Sequence, residues 1–218
     1  MSVLTQVLEQ AGKPTGRRGR FMARFMNAAH SRMTNWALGQ VSVDEEYTVL
    51  DIGCGGGRTV AKLARKAAKG KVFGIDLSEE SVATSRKTNG RLIGLNRVEV
   101  VQGAVSKLPF TDSSFDLATA VETYYFWPDL IADMREILRV LRPGGQLAVI
   151  AEAYKGGGSH DERFQQLLRV TKQEGKINYL SAEGLAEALS NAGFAKVQVH
   201  KEGKRGWVCA LGSKSRQT

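Results

Sequence analysis

The sequence predicts an α/β protein in which a seven-stranded, mostly parallel sheet carries helices on both faces and ends in an antiparallel hairpin. Three observations predict it. Residues 49 to 64, VLDIGCGGGRTVAKLA, read as buried strand, glycine turn and helix in succession. Apolar runs and amphipathic segments then alternate through about two thirds of the chain, the pattern of parallel strands joined by right-handed crossovers. Two final apolar runs lie a short polar turn apart, close enough for a hairpin and too close for a crossover.

The first strand is the apolar run that ends in Asp51, and the helix after it starts at Arg58 with Val60, Leu63 and Ala64 on one face. KVFGIDLS (71–78) is the second strand, Glu79 to about Gly94 a helix, RVEVVQG the third strand and FDLATAVE (115–122) the fourth. The next helix opens at Pro128, whose missing N–H costs nothing in a first turn, and is stopped by Pro143-Gly144-Gly145. QLAVIAEA is the fifth strand. DERFQQLLRVTKQE and SAEGLAEALSNAGF are two further helices, the second capped by Ser181 and ended at Gly193. KVQVHKE and GWVCALGS, joined through EGKR, form the closing hairpin.

At 218 residues the chain suits one domain of ordinary size. Its 42% apolar and 24% charged composition is that of a globular protein, and no stretch approaches the ~18 apolar residues of a membrane helix. The start lacks a basic head followed by an apolar core, so no secretory signal is expected. Cys54 and Cys209 lie far apart without metal-ligand spacing, which fits a reducing cytoplasm and excludes a zinc or disulfide framework. The net charge is +9, with Lys13, Arg17, Arg18, Arg20, Arg24 and Arg32 unopposed between residues 11 and 40. Such a field attracts anions, but no aromatic-interleaved nucleic-acid motif accompanies it.

A strand, a glycine turn and a helix start together make a site for a polar ligand, because backbone N–H groups face outward where no side chain blocks approach. The dinucleotide pattern GxGxxG fails: its third glycine is Arg58 or Val60, depending on register. The phosphate loop GxxxxGK[ST] is absent. What stands instead is GxGxG at Gly53, Gly55 and Gly57, preceded by Asp51 and followed by Asp76 at the end of the second strand. Through VLDIGCGGG, VFGIDLS, GAVSKLPF, FDLATAVETYYFWPD and LRVLRPGGQLAVI, in that order, the chain resembles the class I S-adenosylmethionine-dependent methyltransferases of the Methyltransf_11 kind. It is similar in these core motifs to methyltransferases of the ubiquinone and menaquinone pathways, over about Val49 to Ile150.

That resemblance implies a Rossmann-like fold, S-adenosyl-L-methionine as methyl donor, S-adenosyl-L-homocysteine as product, no metal, and direct displacement onto a small-molecule acceptor. Asp51 would then receive the donor's ammonium, and Asp76 both ribose hydroxyls, since a carboxylate has lone pairs for two donors. Gly53, Gly55, Gly57, Leu77, Ala104, Val105 and Ala120 complete the implied cofactor set. Relatives commonly carry Asp after the glycine that here is Gly103, to reach the adenine amino group; Ala104 stands there, so either backbone near Ala104 and Val105 or another side chain replaces it. Cys54 sits within the loop as a small packing residue.

On the acceptor side, ETYYFWPD replaces the [ND]PP[YFW] of base and glutamine methyltransferases, and neither cysteine suits a cytosine-type nucleophile. Tyr124, Tyr125, Phe126 and Trp127 are expected to put about half their rings toward the cleft. Residues 20–38, RFMARFMNAAHSRMTNWAL, show an apolar stripe of Phe21, Phe25, Met26, Ala29, Met33, Trp36 and Ala37. We expect residues 1–40 to form a helical lid or substrate segment over a methyltransferase domain at 41–218. His30, beside that stripe, and Tyr124 are the candidate general bases. An RNA or ribosomal methyltransferase, or a non-catalytic cofactor-binding module, are the alternatives; oligomeric state has no sequence signal.

Overall fold

The structure, a computed structural model, describes residues 30–216. Phe21, Phe25, Met26 and Ala29, and with them most of the expected lid, lie outside the described residues. The elements run α1 (Ser31–Ala37), β1 (Thr48–Ile52), α2 (Arg58–Lys66), β2 (Lys71–Asp76), α3 (Glu79–Thr88), α4 (Gly90–Gly94), β3 (Val98–Gln102) and β4 (Phe115–Val121). A 3₁₀ turn (Tyr124–Phe126) leads to α5 (Leu130–Val140), β5 (Leu141–Ala151), α6 (Ser159–Thr171), α7 (Ala182–Asn191), β6 (Ala195–Glu202) and β7 (Trp207–Ser213).

The seven strands form one sheet in the order β3-β2-β1-β4-β5-β7-β6. β3, β2, β1, β4 and β5 pair in parallel, and β7 pairs antiparallel with both β5 and β6, as the sequence predicts. Alternation along the strands feeds two cores. In β5, Leu147, Val149 and Ala151 face the core under α5, α6 and α7, while Ala148 and Ile150 face the one under α1, α2 and α3. Val60 and Leu63 of α2 are wholly buried there, each contributing roughly 1.5–3 kcal/mol.

Three boundaries differ from the sequence expectation. The helix from Glu79 breaks at Asn89, because the buried Asn89 amide donates to Gly57 O and Ser85 O, both at 3.0 Å, and so ties the chain to the glycine turn. The fifth helix starts after Pro128, with Asp129 Oδ1 accepting the Ala132 N–H at 3.0 Å as its cap. Pro143-Gly144-Gly145 does not stop that helix, which has already ended at Val140. The triplet lies within β5, where the β4 pairing shifts register between Phe115↔Leu141 and Leu117↔Gln146, an irregularity that accommodates a residue with no N–H to donate.

The described end of the amino-terminal segment is core rather than cover. Met33 and Ala37 are buried against the α2 side, the Trp36 and Trp207 rings lie 6.1 Å apart, and Lys62 Nζ donates to Ser31 O at 2.7 Å.

Candidate active site

Strand order reverses between β1 and β4, so the loops after β1 and β4 part in opposite directions and leave a crevice at the carboxyl edge of the sheet. The glycine turn shapes its floor. Gly53 and Gly57 adopt φ +66° and +82°, and a Cβ on Gly53 would lie 2.4 Å from Thr123 Oγ1, so the turn is pressed directly against the segment after β4. Cys54 is buried, its N–H donates to Ile75 O at 3.0 Å, and burial pushes its thiol well up, leaving an inert packing residue.

Two carboxyl groups dominate the crevice. Asp51 is 1% exposed; its Oδ1 accepts the Thr119 hydroxyl at 2.6 Å, and its Oδ2 has no partner. Loss of water pushes it up to about 7, opposed by the Thr119 hydrogen bond and reinforced by Asp76. Asp76 is also raised by burial, while its Oδ2 accepts the Gly55 N–H at 2.8 Å and its Oδ1 the Ser78 N–H at 2.9 Å. Each Asp76 oxygen keeps a lone pair for a further donor.

Such a pair accepts cations and hydroxyl donors and repels a pyrophosphate. A sulfonium nucleoside with an ammonium group and no phosphate fits on the strength of one observation: the buried, unpartnered Asp51 Oδ2 wants a cationic donor. Beside Asp76, Leu77 is 47% exposed, an apolar surface left open at the end of β2. Gly103 N–H donates to Asp76 O at 3.0 Å and brings the half-buried Ala104 and Val105 to the same end of the crevice.

Two of the expected site residues are placed elsewhere. Ala120 is 0% exposed and packs in the core, so its side chain offers nothing to a cofactor; the position is a strand interior, not a strand end. Tyr124 is likewise 0% exposed, and burial together with Glu122 pushes its hydroxyl far above the ordinary phenol range. A phenol so held keeps its proton and can donate a hydrogen bond, but cannot serve as a base. The aromatic run is mainly core: Tyr124, Tyr125 and Trp127 are buried, Tyr125 Oη donates to Ala153 O at 2.6 Å, and its ring packs against Phe164 and Tyr179.

His30 has its Nε2 3.4 Å from Glu152 Oε2. Burial lowers its pKa while Glu152 raises it, and the net shift is downward, so the imidazole is neutral at pH 7. Glu152 in turn has its Oε1 3.7 Å from His160 Nδ1 and donates its N–H to Glu122 Oε1; all three were missed in the sequence. Their signal was present: the runs read as β4 and β5 both reach a glutamate at their carboxyl ends. Asn89 and Ser85, which brace the glycine turn from α3, left no local signal at all.

Crevice, glycine turn and strand order together define a class I nucleoside-type methyltransferase fold. Residues 50–149 match a family described as a methyltransferase domain. It is 38% identical over 129 residues to the methyltransferase GfsG of Streptomyces halstedii, covering 59% of this chain and 46% of that protein. It is 31% identical over 170 residues to an O-methyltransferase of Pyrenophora dematioidea, covering 76% of this chain and 61% of that one. It thus spans about half to three fifths of these relatives' length. A solved S-adenosylmethionine-dependent methyltransferase from Aquifex aeolicus shares the fold, with a TM-score of 0.72, 22% identity, and coverage of 89% of this chain and 97% of that one. Among the described residues no helix is long and apolar enough to cross a membrane.

Proposed function

We propose that this protein moves the methyl group of S-adenosylmethionine to a small-molecule acceptor by direct displacement. The observation that carries it is the unpartnered Asp51 Oδ2, buried beside Asp76 behind a turn that only glycines can make. Asp51 would hold the donor's ammonium, Asp76 its ribose hydroxyls, Leu77 the adenine face, and backbone groups near Ala104 and Val105 the adenine edge. When bound, the donor supplies a methyl group already activated by the sulfonium, so the protein's task is alignment and exclusion of water. Small-molecule acceptors are supported by relatives such as the O-methyltransferase of Pyrenophora dematioidea. Residues 1–40 serve as the acceptor segment; support comes from its described end, where His30 precedes α1 and stands beside Glu152. Two free, buried cysteines suit a reducing compartment such as the cytoplasm.

Asp76→Ala tests the cofactor assignment. It is expected to weaken S-adenosylhomocysteine binding by roughly 1.5–3 kcal/mol, as for hydrogen bonds to a charged group. The Gly55 N–H also loses its acceptor, so the loss should sit at the upper end of that range. Calorimetry showing affinity within twofold of wild type would remove Asp76 from the site.

A further inference from the structure

The edge of the sheet beyond the cofactor crevice holds a second polar cluster. Val121 pairs with Ile150, so Glu122 and the residues after β5 leave neighbouring parallel strands on the same edge as Asp51 and Asp76. The Glu152 N–H donates to Glu122 Oε1. Glu152 then reaches two histidines: its Oε2 lies 3.4 Å from His30 Nε2 and its Oε1 lies 3.7 Å from His160 Nδ1. The cluster adjoins the glycine turn, because Gly53 is pressed against Thr123, the residue after Glu122.

A further feature marks it as more than a surface ion pair. Glu122 takes φ +58°, a left-handed conformation that a non-glycine residue keeps only where the surroundings over-determine it.

We propose that His30, oriented by Glu152, takes the proton of a hydroxyl acceptor, so that this protein is an oxygen methyltransferase. The inference rests on the methyl-transfer reading above and adds the acceptor atom. Glu152 Oε2, 3.4 Å from His30 Nε2, favours the tautomer that carries its proton on Nε2, leaving Nδ1 to receive a proton. In the step, the acceptor's O–H bond breaks and its proton goes to Nδ1. The oxygen's electron pair forms the new O–CH₃ bond, the S–CH₃ bond breaks, and its pair stays on sulfur as the neutral thioether. Glu152 stabilises the imidazolium that results, and His160 holds the other Glu152 oxygen. A hydroxyl is a poor nucleophile until its proton leaves, whereas an amine attacks with its own lone pair and a thiol ionises readily near neutral pH. A built histidine–carboxylate pair therefore has work to do on a hydroxyl that the other two do not require.

Glu152 after β5 is the charged group against His30; His160 on α6 and Glu122 after β4 touch Glu152, and Lys62 of α2 reaches Ser31, the residue after His30. In a proton NMR titration of the full chain, His30 is expected to titrate below the ordinary histidine value and to fall further in Glu152→Gln, where the carboxylate's attraction is gone. His30→Gln is expected to cut turnover about 10²–10⁴-fold, the usual worth of general base catalysis. S-adenosylhomocysteine affinity should stay within twofold in both variants. A small-molecule cell extract incubated with ¹³C-methyl donor identifies the acceptor atom, since the carbon shift separates methyls on oxygen, nitrogen, sulfur and carbon. Label on oxygen, lost in His30→Gln, is the expected result. Label on nitrogen, sulfur or carbon overturns the oxygen assignment, and a His30→Gln variant within threefold of wild type overturns the general-base assignment, methyl transfer standing in either case. No label anywhere, with S-adenosylhomocysteine bound, overturns methyl transfer and this assignment with it.

Discussion

Asp51→Asn is expected to make the ligand-free protein more stable at pH 8 and, at the same time, a poorer binder of S-adenosylmethionine. Asp51 holds its proton up to about 7 in the fold, against an ordinary value near 3.8. A carboxyl raised in this way contributes fully below its ordinary value, and that contribution is lost as pH rises through 7. Ionised above pH 7, it costs roughly 4 kcal/mol, one pKa unit being about 1.4 kcal/mol. Asparagine never ionises and still offers an oxygen to the Thr119 hydroxyl. Urea denaturation should therefore show the variant ahead by about 2–4 kcal/mol at pH 8, with the gap closing toward pH 4. Donor affinity should fall at least tenfold, the lower bound for losing a hydrogen bond between charged groups. A variant equally stable at both pH values would mean that Asp51 is not the desolvated group the structure shows.

The second large effect is expected at the start of α2. Gly57→Ala meets two obstacles: φ is +82°, and the new methyl would lie 2.4 Å from Ser85 Oγ, 2.5 Å from Asn89 Nδ2 and 2.9 Å from the Ser85 backbone. The left-handed conformation alone costs about 1–2 kcal/mol, and forcing a methyl into a packed site about 1–3 more. Neither obstacle yields cheaply, because Ser85 belongs to α3 and Asn89, which caps its end, is itself bonded to Gly57 O. A loss of about 3 kcal/mol in unfolding free energy is expected, with donor binding weakened further since the turn must shift. Gly90→Ala is the control, with open space around the position; it should be neutral or stabilising.

The sheet was legible because its signals are local and repeated: every strand is an apolar run with a recognisable stop, and Asp51, Asp76 and the three glycines fall where strands end. Ser181 shows the same legibility, its Oγ accepting the Gly184 N–H at 3.0 Å as a capping serine should. Pro143-Gly144-Gly145 misled because a proline followed by glycines stops a helix or bulges a strand equally well, and only the β4 pairing decides which. Asn89 reads as ordinary helix sequence; its break exists only because Gly57 O lies within reach, across 32 positions of chain. Tyr124 and Ala120 read as site residues from their place at the end of β4, whereas both are buried in the core under α5, α6 and α7, packing that no local pattern encodes. The acceptor cluster is the clearest case. Glu122 and Glu152 lie 30 positions apart and meet because β4 and β5 pair, and Glu152 meets His30 only through the fold of the amino-terminal segment.

The central claim is that a cationic nucleoside meets a carboxyl which burial keeps protonated near neutral pH. Calorimetric titration of the protein with S-adenosylhomocysteine at pH 6, in two buffers of different ionisation heat, tests it most directly. Binding should release close to one proton, because the ammonium favours the ionised form of a group that is otherwise about nine-tenths protonated at that pH. Tight binding whose heat is the same in both buffers would contradict the placement of the ammonium on Asp51.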